Sequence, residues 1–66
     1  AERKKHLAKS EATIHALETR LAELESDAGK ASQAGEVNRV RELGEAYTAA
    51  QADLDAALAE WESLLA

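Results

Sequence analysis

The feature that most limits what this chain can become is a 3–4 spacing of apolar and small residues, sustained through each of two segments. Leu7, Ile14, Leu21 and Ala28 repeat every seven positions, and Ser10, Leu17, Leu24 and Ala31 interleave with them. A second set follows, with Val40, Tyr47, Leu54 and Trp61 as one line and Leu43, Ala50, Ala57 and Leu64 as the other. Such spacing winds one apolar seam along a helix, which suits a coiled coil and does not suit a strand. The chain has no proline to break the pattern, and its dominant residues (Ala, Leu, Glu, Lys, Arg, Gln) favour helix.

Between the two periodic segments lies "SDAGKASQAGEV", where glycine and serine cluster and mark a break. The expected organisation is all-α, one unit over residues 1–66: helix 1 about 2–29, a turn about 30–35, and helix 2 about 36–65. Gly29 is the expected C′ residue of the first helix, since glycine tolerates the left-handed conformation that ends many helices. Ser32 or Gly35 would cap the second helix, with Glu36 favourable near its positive end. A connection this short returns the chain antiparallel, as a two-helix antiparallel coiled-coil hairpin.

Two registers satisfy the seams. One sets Trp61 opposite Ser10, Leu24 opposite Tyr47, Ile14 opposite Ala57 and Leu21 opposite Ala50. The other centres the turn on Lys30–Ala34 and sets Arg3 against Trp61. The first is preferred because large faces small at most layers, as close packing requires. Tyr47 and Trp61, the only aromatics, are then core residues, with the Tyr47 hydroxyl kept in water at the seam edge. Gly44 falls inside the second helix at a cost of about 1 kcal/mol against alanine, for which close helix approach is the plain explanation.

Composition excludes several functions. Cysteine is absent, so there is no disulfide and no thiolate site. His6 and His15 are too far apart for the i, i+4 ligand spacing and read as surface residues. Glu23 with Glu25, and Asp53 with Asp55, point apart on a helix and do not form catalytic acid pairs. There is no glycine-rich phosphate loop and no nucleophile beside a base. No catalytic residue, cofactor site or metal site is therefore expected. Apolar runs are too short for a bilayer span, and no signal peptide is visible. The reading is of a cytosolic segment cut from a longer protein, a monomer or weak dimer with no membrane partner.

The net charge is −5, unfavourable for a nucleic-acid binder. The charge is unevenly spread, however. Arg3, Lys4, Lys5 and Lys9 make the first end basic, while residues 42–66 hold six acids and no Lys or Arg. A fold-back lays these ends together, which favours the hairpin over a parallel dimer. Lys30, Arg39 and Arg41 gather round the turn. These seven cations are the candidate nucleic-acid contacts. Val37, Leu58 and Leu65 flank the second seam. They either pack on the first helix or form a docking strip for a partner.

The segments "ERKKHLAKSEATIHALETRLAELE" and "ELGEAYTAAQADLDAALAEWESLL" resemble the C-terminal domain of ABC-F ATPases, the Uup-type coiled-coil hairpin. The opening "ERKK", the leucine heptads, Tyr47, and the finish Trp61-Glu62-Ser63-Leu64 carry the resemblance over nearly the whole chain. The turn departs from the family pattern in lacking its frequent proline and aromatic. The resemblance implies a cytosolic parent with two ATP-binding cassettes and no membrane domain, acting on ribosomes. It implies ATP and magnesium in those cassettes, not here. It also implies contact of the hairpin with nucleic acid (rRNA, tRNA or DNA) and support of the parent ATPase domains. Two alternatives stand beside it. One is a purely structural helix-docking or dimerisation module. The other is the tRNA-contacting C-terminal arm of a valyl-tRNA synthetase, whose strong basic face is missing here.

Overall fold

A computed structural model describes residues 2–66. Helix α1 spans Glu2–Gln33 and helix α2 spans Val37–Leu65. They lie side by side as one rod of 51 × 14 × 11 Å. No strand is present among the described residues. The fold is the all-α helical hairpin that the heptads require.

On α1, the side chains withdrawn from solvent are those of the seam: Leu7, Ser10, Ile14, Leu17, Leu21, Leu24, Ala28 and Ala31. On α2 they are Val40, Leu43, Ala50, Leu54, Ala57, Trp61 and Leu64, joined by Ala46 and Gln51. The core proper is Leu21, Leu24, Ala31, Leu43, Ala50 and Leu54, with Ile14, Leu17, Ala28, Val40 and Ala46 packed against it. Leu24 is the most enclosed of these, at 3% exposure. Among the described residues no large side chain is completely buried, because each layer has only two helices to close it.

The structure adopts the register that sets Trp61 near Ser10. The Trp61 indole Nε1–H donates to Glu11 Oε1 at 3.4 Å, one residue from Ser10 and eight from Arg3 along α1. Arg3 lies beyond it, donating to the Leu64 carbonyl at 2.8 Å.

The structure differs from the expectation in three respects, two of them at the turn. First, α1 does not stop at Gly29 but continues to Gln33. Gly29 is simply helical, and the one positive-φ residue among those described is Gly35, at φ 74°. The Gly35 N–H donates to the Ser32 carbonyl at 3.1 Å and the Glu36 N–H to the Ala31 carbonyl at 2.9 Å. These bonds form a Schellman closure with Gly35 at C′. The extra turn of α1 is favoured because it carries Ala31 into the core, where it is 4% exposed. Second, neither Ser32 nor Gly35 caps α2. Glu36 occupies the N-cap position and makes no side-chain cap bond. Third, close helix approach does not explain Gly44, since a Cβ built there meets nothing within 4 Å.

Tyr47 also departs from its expected place. It is 37% exposed, while Ala46, one residue earlier, is drawn toward the core. The flank that includes Tyr47 opens to water.

Candidate functional site

At the base of the rod, where both termini meet, the four cations are not equivalent. The Arg3 guanidinium is committed to the end of α2, through its bond to the Leu64 carbonyl and a longer one of 3.5 Å to the Ala66 carbonyl. These are among the carbonyls that a helix end leaves without partners, and a cation there also favours the helix dipole. Lys5 and Lys9 line a shallow concavity with Glu2 and His6. Lys9 and His6 also share an adjoining one with Glu60. The base is therefore of mixed sign.

At the opposite end, Lys30 lies near the end of α1, with Arg39 and Arg41 in the opening turns of α2. All three are exposed. Arg39 makes a long ion pair with Glu42, 3.9 Å, in which both side chains are more than half exposed. Arg41 donates to Asn38 Oδ1 at 3.2 Å. Water-exposed pairs of this kind hold their partners weakly. The first turn of α2 contains no acid, so apart from Glu36 at the N-cap little offsets the positive helix end there.

Along the rod the third group appears. Val37, Leu58 and Leu65 are 78%, 37% and 51% exposed. None of the three belongs to the enclosed core. Tyr47 belongs with them, which the seam pattern concealed. The sequence signal for it was its phenol, which needs water at one end.

Among the described residues no three His, Asp or Glu side chains are placed to hold a metal. Nor, among them, is any helix long and apolar enough to cross a membrane.

The family model for the ABC transporter C-terminal domain matches residues 1–66. The chain belongs to that family. The hairpin is thus a C-terminal accessory domain of ABC proteins, and the synthetase-arm alternative gives way to it. No curated protein and no solved structure matches the chain. For the ABC transporter C-terminal domain described here, three surfaces are available for contact: the mixed base, the cationic tip and the flank of α2.

Proposed function

We propose that this hairpin is the non-catalytic accessory domain of a cytosolic ABC-F ATPase of the Uup type. In this reading its tip touches the phosphate backbone of nucleic acid, on the ribosome or free, and so supports the work of the ATPase domains. One observation supports it above the others. Lys30, Arg39 and Arg41 stand exposed at the far end of a 51 Å rod, the two arginines held only by exposed polar partners. A rod anchored at its base presents that end outward. Phosphate contacts position a protein on RNA or DNA without reading sequence, which suits three exposed cations with no aromatic beside them. ATP and magnesium belong to the cassettes, and nothing in this chain has the form of a phosphate-binding loop.

The test is a titration against ribosomes, tRNA and duplex DNA at about 50 and 200 mM salt, where counterion release is readily seen. The triple substitution K30Q/R39Q/R41Q is compared with K5Q/K9Q at the base. Loss of three phosphate contacts lowers the salt slope by about 2 for single strands and about 2.7 for B-form DNA, with at least tenfold weaker binding. Unchanged affinity and slope in the tip variant would refute the reading, as would a loss confined to the base variant.

A further inference from the structure

The exposed flank of α2 and the facing flank of α1 form one continuous surface. Val37, Gly44, Gln51, Leu58 and Leu65 share a seven-residue line on α2. Tyr47 lies beside this line, about five full turns from Leu65 and within about 20° of Leu58 around the helix. The facing line on α1 is Glu11, Glu18, Glu25 and Ser32. Two observations tie the lines together. Glu11 accepts the Trp61 indole N–H, and Ser32 lines the same concavity as Val37 at the tip. Among the described residues none of the three glutamates has an ion pair; the one pair found is Arg39 with Glu42. Asp55 and Glu62 border the strip on its other side. Arg41 borders its tip end and Gln51, bonded to Asp55, interrupts it, so the acidic margins flank the apolar side chains from Tyr47 to Leu65 and not Val37.

We infer that this surface docks a cationic amphipathic helix, whose leucine-type side chains cover Tyr47, Leu58 and Leu65 and whose Lys or Arg residues meet Glu11, Glu18 and Glu25. The spacing suits a helix. The three carboxylates recur about every 10 Å, the interval at which a straight partner helix repeats its own flank every seven residues. The charge specifies the partner's sign. A second copy of this chain does not suit the surface. Two-fold apposition would set carboxylate rows against each other, between chains each of net charge −5. Four exposed apolar side chains are also well short of the roughly 800 Å² per partner of a stable interface, so the partner must supply complementary charge. The same acids repel phosphate, which keeps this face distinct from the tip.

The probe is a synthetic helical peptide of about three heptads, with leucine on its seam and lysine on its flanks. Binding is read by Trp61 emission and by amide shifts over residues 11–25 and 47–65. The peptide is expected to bind, and to bind less as salt rises. L58E/L65E and E18K/E25K should each weaken it at least tenfold, while K30Q/R39Q/R41Q leaves it unchanged. E18K/E25K should in turn gain affinity for the same peptide carrying glutamate in place of lysine. All substituted positions are exposed, and far-UV circular dichroism verifies that helix content is kept. Four results would each overturn the inference: no binding of the lysine peptide, equal binding of the glutamate peptide by the unsubstituted chain, full retention in L58E/L65E, or RNA shifting the same amides. Sedimentation showing chain dimers that L58E/L65E abolishes would assign the strip to a second copy instead. Loss of tip binding in the preceding titration leaves these outcomes untouched.

Discussion

The three glycines offer a test in which one substitution changes sign with backbone position. Gly29 and Gly44 lie within helices, neither has positive φ, and a Cβ at either meets nothing within 4 Å. Alanine there adds no clash and removes the backbone freedom that glycine loses on folding, a gain of about 1 kcal/mol per site. For a 66-residue chain the unfolding entropy is about 140 cal/mol/K at roughly 2.1 cal/mol/K per residue, so each substitution raises Tm by about 7 °C. Neither new methyl group finds a neighbour to share, so G29A/G44A should add to about 2 kcal/mol and about 14 °C. Gly35 is the reverse case. Its φ of 74° is costly for any residue with a Cβ, so G35A should lower stability by about 1 kcal/mol although the space around it is equally open. Thermal unfolding followed by far-UV circular dichroism, at several protein concentrations, measures all four variants. A G44A variant no more stable than the parent would mean that something covers that face of α2. A neutral G35A would mean that the chain reverses elsewhere.

Other substitutions probe the core and the base. Leu24→Ala removes the most enclosed leucine and should cost about 2–4 kcal/mol by denaturant titration, enough to unfold much of so thin a domain. Ser10 occupies a seam position and is buried; Ser10→Ala should stabilise by about 0.5 kcal/mol, through better helix propensity at an apolar layer. Arg3→Ala removes the donor on the Leu64 carbonyl and should cost about 0.5–1 kcal/mol, with amide exchange speeding first in the last turn of α2. Glu11→Ala loses only a long, exposed bond to Trp61, so its effect on Tm should be under about 0.5 kcal/mol, with a small shift in indole emission.

Much of this was legible in the residues because a two-helix rod has one seam and the heptads describe it. Every seam position read on α1, from Leu7 to Ala31, is withdrawn from solvent. The tip was harder. Gly29 and Gly35 are equivalent as letters, yet α1 runs past the first, burying Ala31, and leaves the left-handed position to the second. Tyr47 was misplaced for a related reason. Heptad positions count Tyr47 as fully within the seam, whereas it is 37% exposed and Ala46 beside it packs against the core. The exposure of Val37, Leu58 and Leu65 follows from the small width of the rod. The commitment of Arg3 to the carbonyls of α2 depends on where the two ends meet, which no local pattern records.

Both surfaces depend on the chain doubling back at Gly35. Spin labels at Lys5 and Ser63, in chains diluted with unlabelled protein, measure this most directly. Helix axes about 8–10 Å apart predict a label distance below about 30 Å. A single continuous helix would separate those positions by about 87 Å, and a distance above about 60 Å would contradict the hairpin and both contact surfaces with it.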